Sequence, residues 1–319
     1  MYLEKIMVLF EGSEKKLEVT IDSRHADLRD LGMDFWQQIV QASNAEIIST
    51  IYSPVCEAHL LSESSLFVWN DRFIMITCGK TRLIEAAILF LKNTNCPIAS
   101  LFYQRKNEFF PNLQHSNFDE DVSVLQQYLC GNIFQLGEKN SHHIFYHHAS
   151  HHKRNINDLR DDTTIELKMF HLGKTAETIF LAQNPEAIHT LFQDTKLWQI
   201  FDIDEFFFEP FGYSVNGLNN DRYFTIHVTP QNECSYASFE TNLSLPKAHN
   251  IIQILLTTLR PKTFDTLIFS TQSQTFEQEM DAPIIEQSIQ SLGNQYDIYF
   301  HQYQSNHDGK EESSSDFPP

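Results

Sequence analysis

The sequence predicts an antiparallel α+β fold, present twice within one chain. Three observations carry this expectation. Runs with the two-residue period of strands dominate, helices fall between them, and one hairpin-then-helix pattern recurs about 160 residues further on. Lys16-Leu17-Glu18-Val19-Thr20-Ile21 alternates polar and apolar side chains, as a half-buried strand does. A helical period follows from Asp27 to Ala42, with Leu28, Leu31, Phe35, Gln38 and Ile39 on one side. Leu66-Phe67-Val68-Trp69 and the run from Arg72 to Thr77 read as strands around Asn70-Asp71, a pair suited to a tight hairpin turn. Gly79-Lys80-Thr81 then leads into a helix whose Leu83, Ile84, Ala87, Ile88 and Leu91 share a face. In the second half, Tyr223 to Val228 and Ser235 to Phe239 are strands separated by a turn from Pro230 to Glu233. Pro246 sits where a first helical turn tolerates it, and Ile251, Ile252, Leu255, Leu256 and Leu259 continue as a buried helix face.

Composition bounds the function classes. The chain has 319 residues, 41% of them hydrophobic and 26 of them Phe, which is ample for a large core. Its 23 basic residues against 42 acidic ones give a net charge of −19, which disfavours nucleic acid as a partner because phosphate contacts need clustered Lys and Arg. Such charge serves solubility, or a preference for cationic small molecules; composition does not separate the two. No stretch approaches the roughly 18 consecutive apolar residues of a membrane helix. The opening Met1-Tyr2-Leu3-Glu4-Lys5-Ile6 lacks the basic start of a signal peptide, so a soluble cytoplasmic protein with no membrane partner is expected.

Cys56, Cys78, Cys96, Cys130 and Cys234 are odd in number and show no CxxC pairing, which fits neither a disulfide framework nor a zinc knuckle. All but Cys78 read as small buried hydrophobes. The segment from His142 to His152 holds six histidines in eleven positions, but no Cys or carboxylate cluster completes a ligand set. It is read as a solvated strand end plus loop, and no metal site is expected. Leu61-Ser62-Glu63-Ser64-Ser65-Leu66 is, taken alone, a turn; there is no GxSxG elbow and no SxxK arrangement.

Other segments change the reading of those serines. Phe10-Glu11-Gly12-Ser13-Glu14-Lys15-Lys16-Leu17-Glu18-Val19, Leu61-Ser62-Glu63-Ser64-Ser65 and Thr77-Cys78-Gly79 resemble blocks of the eukaryotic-type, pyruvoyl-dependent S-adenosylmethionine decarboxylase proenzymes. So do Gly212-Tyr213-Ser214-Val215-Asn216-Gly217, Thr225-Ile226-His227-Val228-Thr229-Pro230 and Phe239-Glu240-Thr241-Asn242-Leu243-Ser244, in the family's order and near its spacings. The resemblance implies a four-layer αββα sandwich, with the domain spanning residues 1–305, while the polar composition of 306–319 reads as a disordered tail. It implies a self-cut between Glu63 and Ser64 into a 1–63 β chain and a 64–319 α chain. In this scheme the Ser64 hydroxyl attacks the Glu63 carbonyl, the resulting ester is eliminated, and the new terminus becomes a covalent pyruvoyl group. That ketone forms a Schiff base with the substrate amine and takes up the electrons left by decarboxylation. By the same resemblance His227 is the processing base, Ser214 its assistant, and Cys78 the acid that reprotonates the substrate carbon. Glu11 and Glu14 fall among the catalytic residues. Phe10 and Phe208 sandwich the adenine of S-adenosylmethionine, while Leu61 and Ser65 flank the reactive group. The product would supply aminopropyl groups for spermidine and spermine synthesis. Family members include both monomers and homodimers.

Two departures stand out. Where the family carries a glutamate that grips the ribose, this chain has Gln231, whose amide keeps one acceptor but no charge. Glu18, Asp162, Thr164, Glu166 and Glu240 match an acidic cluster that binds the activator putrescine in animal enzymes, but the lysine of that cluster is replaced by Ile76. Acids without an internal cation are costly to keep ionised. The cluster is therefore expected either to bind a diamine more tightly or to stay partly protonated and unregulated. Alternatives to the main reading are a pyruvoyl-dependent decarboxylase of ornithine or arginine, or a non-catalytic regulatory paralogue.

Overall fold

The computed structural model describes residues 12–22, 27–137, 142–149, 163–231, 234–270, 280, 282–292 and 296–306. Its strands form two eight-stranded antiparallel sheets. The first contains β1 (Lys15–Ile21), β2 (Ile47–Tyr52), β3 (Cys56–Leu61), β4 (Ser64–Trp69), β5 (Arg72–Thr77), β6 (Ile98–Lys106), β7 (Asn132–Leu136) and β8 (His142–His148). The second contains β9 (Thr164–Phe170), β10 (Asp202–Phe207), β11 (Tyr213–Asn219), β12 (Arg222–Thr229), β13 (Tyr236–Thr241), β14 (Thr263–Ser270), β15 (Ile284–Ser291) and β16 (Asp297–Gln304). Strand order is β2-β3-β4-β5-β1-β6-β8-β7 in one and β10-β11-β12-β13-β9-β14-β16-β15 in the other, the same path traced twice. The expected duplication is thus present strand for strand.

Helices α1 (Met33–Ala42), α2 (Leu83–Asn93) and α3 (Phe118–Leu125) cover the outer face of the first sheet. Helices α4 (Lys174–Leu181), α5 (Pro185–Phe192), α6 (Leu197–Ile200) and α7 (Leu245–Leu259) cover the second, completing the four layers. The helix expected from Asp27 is broken. Leu28–Leu31 form a 3-10 turn, and Gly32 at φ 78° lets the chain change direction before α1. Among the described residues no helix is long and apolar enough to cross a membrane.

The alternation of the central strands sorts by layer in a way that positions the site. Leu17, Val19 and Ile21 of β1 pack under the helices with Trp36 and Ile39, and Ile165, Leu167 and Met169 of β9 pack with Phe180 and Phe192. The polar positions of both strands therefore face the opposite sheet rather than water. Two apolar clusters close the inter-sheet space on either flank. One groups Phe67, Trp69 and Ile74 with Leu218 and Tyr223; the other groups Phe102, Ile144 and Tyr146 with Phe269, Ile298 and Phe300. Between them lies a buried charged band.

Candidate active site

Ser64 opens β4 and is fully buried. Its φ of 134° lies in the left-handed half of backbone space, which a side-chain-bearing residue adopts only under strain. That twist overrides strand alternation, so Ser64 and Ser65, neighbours in sequence, both reach the same imidazole on the other sheet. Ser64 Oγ is 2.9 Å and Ser65 Oγ 3.3 Å from His227 Nε2. His227 stands on β12 opposite Ser214 of β11, whose hydroxyl is 2.7 Å from Nδ1. Thr225, two residues earlier on the same face, places its hydroxyl 2.8 Å from Nε2. Burial pushes the imidazole down to about 3, so it stands as a neutral base.

The Glu63 carbonyl oxygen accepts two donors from one residue. The Cys78 backbone N–H lies 3.0 Å away and its Sγ 3.4 Å away. A two-donor cradle on a carbonyl oxygen stabilises negative charge developing there, the arrangement needed for attack on that carbon. The turn that presents Cys78 is held locally. Gly79 adopts φ 64°, the Thr81 hydroxyl donates to the Cys78 carbonyl at 2.9 Å, and Lys15 Nζ donates to the Gly79 carbonyl at 3.0 Å. Burial raises the Glu63 side chain to about 7, with Lys15 pulling it back.

Leu61 lies opposite Ser64 across the β3–β4 pair, but its side chain is packed under the helices with Leu17 and Trp36. Only its backbone can take part in the site. Phe208 follows β10, half-buried, with its ring 4.9 Å from that of Phe206, and its N–H donates to the Gly212 carbonyl at 2.9 Å. Gln231 is half-buried, its side-chain oxygen 3.7 Å from Cys234 Sγ. Phe10, Glu11 and Asp162 lie outside the described residues. Glu14 reaches across to the second sheet, where the hydroxyls of Ser238 and Tyr236 donate to it; burial raises its carboxyl. Ser238 is the cross-strand neighbour of His227, so Glu14 ends one strand away from the imidazole.

The acidic cluster requires a correction. Glu18, Glu166 and Glu240 do converge, but not without a cation. Lys16 Nζ, almost completely buried, lies 2.9 Å from both Glu166 and Glu240 and 3.9 Å from Glu18. Lys16 is the cross-strand partner of Ile76, so the ammonium missing at 76 enters from the adjacent strand. Lys168 adds a second cation 3.3 Å from Glu166. Burial alone would raise Glu166, but Lys16 and Lys168 outweigh it and hold the carboxyl low, while burial raises Glu240. Reading Lys16 as a solvent-facing position of a half-buried strand concealed it; the signal was the matching polar face of β9, Glu166 and Lys168.

The histidine segment also departs from expectation. His142 is not solvated. It is fully buried in β8, with Nε2 2.9 Å from Asp265 Oδ2, and Lys106 lies 3.5 Å from the same oxygen. His151 and His152 lie outside the described residues. Among the described residues no three metal-capable side chains gather. Cys56 and Cys234 are buried as expected, whereas Cys130 is exposed and Cys96 half-buried.

Fold and site together define a class: a duplicated αββα sandwich whose interior holds a strained serine between a neutral imidazole and a polarised carbonyl. The sequence profile described as "Adenosylmethionine decarboxylase" matches residues 7–312, and the chain belongs to that family. It is 32% identical over 312 residues to the S-adenosylmethionine decarboxylase proenzyme of Drosophila melanogaster, covering 90% of each chain. With the Xenopus laevis proenzyme it is 34% identical over 282 residues, covering 83% of this chain and 84% of the relative. With the Trypanosoma cruzi proenzyme it is 31% identical over 313 residues, covering 91% and 82%. The crystal structure of the Trypanosoma brucei AdoMetDC-delta26 monomer superposes with a TM-score of 0.59 at 21% identity, covering 75% of this chain and 98% of that one, a likeness of fold.

Proposed function

We propose that this chain decarboxylates S-adenosylmethionine with a pyruvoyl group that it makes from its own Ser64. The observation that carries the reading is the Ser64 hydroxyl 2.9 Å from the neutral base His227, beside a Glu63 carbonyl cradled by the thiol and N–H of Cys78. Ser64 Oγ attacks the Glu63 carbon, His227 takes the hydroxyl proton, and that proton passes to the Ser64 nitrogen as the peptide bond breaks, leaving an ester and an amine. His227 then takes the Ser64 α-proton, and the Cβ–Oγ bond breaks to release residue 63 as a carboxylate; the dehydroalanine left behind tautomerises to an imine, which water hydrolyses to the ketone with loss of ammonia.

The residues present fit the group: a base on the hydroxyl, two donors on the carbonyl and strain at the residue to be converted. When bound, a ketone conjugated to an amide supplies the sink for the electron pair released by decarboxylation. We assign Cys78 to return a proton to the substrate carbon, since a thiol gives up its proton nearer neutrality than a hydroxyl does. Phe208, half-exposed beside Phe206, offers a ring face to adenine and to the sulfonium charge. That aromatic pair favours an adenine-bearing substrate over ornithine or arginine. Gln231 offers the ribose an uncharged amide. Lys16 serves as a tethered stand-in for one ammonium of a diamine, holding Glu166 and Glu240 without an added activator. The catalytic unit spans residues 1–305.

A denaturing gel of freshly purified protein tests the reading. Fragments of 63 and 256 residues are expected, the larger without a free amino terminus, while Ser64→Ala stays intact. An uncut unmodified chain, or turnover that survives borohydride, overturns it.

A further inference from the structure

We propose that Thr225 is a positioning residue that accepts a hydrogen bond from the protonated Nε2 of His227 between the two proton transfers of self-cleavage, with Ser65 and Asn216 as its support. The inference rests on the reading of Ser64 above and adds the partner that its base requires.

Among the described residues, every hydrogen-bond partner of the His227 ring is a hydroxyl: Ser214 at Nδ1, and Thr225, Ser64 and Ser65 at Nε2. Nε2 holds either one lone pair or one proton, so the three hydroxyls before it cannot play the same part. Asn216 decides between them. It is the cross-strand partner of Thr225, and its Nδ2 donates to the His59 carbonyl at 3.2 Å, which turns Oδ1 toward Ser65 Oγ at 2.6 Å. An amide oxygen only accepts, so the Ser65 proton is committed to Asn216 and Ser65 presents lone pairs to its other neighbours.

Thr225 thereby gains two usable settings. It can donate across 2.8 Å to a bare Nε2, or turn its proton to Ser65, 3.3 Å away; the second setting leaves the Nε2 lone pair to Ser64 and, once Nε2 is protonated, lets Thr225 accept from it. The second setting matters because burial strongly disfavours the imidazolium and no carboxylate is bonded to the ring among the described residues. When the Ser64 hydroxyl proton moves to Nε2, the Ser64 oxygen becomes part of the new bond to Glu63 and ceases to be a free acceptor. Thr225 then accepts a hydrogen bond from the Nε2–H, and the proton stays on Nε2 until it passes to the departing Ser64 nitrogen. Thr225 accepts in the same way after His227 takes the α-proton.

The experiment follows self-cleavage of freshly made chain. Thr225→Val keeps the shape and removes the hydroxyl; it is expected to slow the cut by about 10- to 100-fold, the scale of one hydrogen bond to a charged group. Thr225→Ser loses a methyl but keeps the hydroxyl and is expected to cut within about threefold of the unmodified rate. Cutting by the valine variant at the unmodified rate overturns the inference, as does a serine variant as slow as the valine one, which would make the residue a packing element. Should the valine variant not fold, Ser65→Ala carries the test: among the described residues Thr225 then has no acceptor to which to turn its proton, and an unchanged rate overturns the proposal. An unmodified chain that never cuts overturns the reading of Ser64 itself, a result distinct from these.

Discussion

Removing the buried ammonium of Lys16 is the most direct test of how the inter-sheet band works. Lys16→Met keeps the length and apolar stem of the side chain and leaves Glu166 and Glu240, each 2.9 Å from the lost cation, facing one another. Breaking a buried pair in this way costs about 3–5 kcal/mol. Two features place this case toward the lower end. Lys168 remains 3.3 Å from Glu166, and Glu240, raised by burial, accepts a proton readily. A loss of about 3 kcal/mol lowers the melting temperature by roughly 4–5 °C in a chain of this size. The vacated position is lined by carboxylates and lies under the Phe269 ring, 5.5 Å from where the ammonium stood, which suits a free diamine. Putrescine at 100 times its dissociation constant would restore about 2.7 kcal/mol by mass action. The expected pattern in melting and carbon dioxide release is therefore reciprocal. The unmodified protein ignores putrescine, while Lys16→Met is destabilised, slowed several-fold and largely restored by it. Strong stimulation of the unmodified protein, or a Lys16→Met variant that putrescine cannot help, refutes the tethered-cation reasoning.

Two further outcomes are expected. Gln231→Glu converts a neutral ribose contact into a charge-assisted one and should lower KM for S-adenosylmethionine by up to about tenfold with kcat nearly unchanged; an unaltered KM places Gln231 outside the substrate site. Burial lowers His142 to about 4, below its usual value of 6.5, so the unfolded chain binds more protons between those values and stability falls as pH drops through that window. About 2 kcal/mol should be lost between pH 6.5 and 5 from this residue alone. Melting temperatures of the unmodified protein and His142→Asn should converge as pH falls; parallel curves would remove His142 from the account.

Strand alternation made β1 and the hairpins legible, because a two-residue period survives whatever surrounds it. What the period does not contain is the identity of the medium on each side. In a lone sheet the polar face meets water; in this sandwich the apolar faces of β1 and β9 go to the helices, and Lys16, Glu18, Glu166 and Lys168 meet across the sheets. His142 was misjudged for the same reason: β8 lies between β6 and β7 and faces Asp265 rather than solvent. The site divides similarly. Ser64, Cys78, Ser214 and His227 stand in blocks that resemble a known family, so their types and spacings could be read directly. Asn216 and Thr225 stand in the same blocks, but only the β11–β12 register sets them side by side and aims them at Nε2. The clearest case is the strain at Ser64. Nothing in Glu63-Ser64-Ser65 announces a φ of 134°, yet that angle alone allows consecutive strand residues to address one imidazole. Leu61–Ser64 and Ser64–Thr77 pairing fixes the backbone on both sides, so the strain is held by the sheet, and the proposed cut before Ser64 would relieve it.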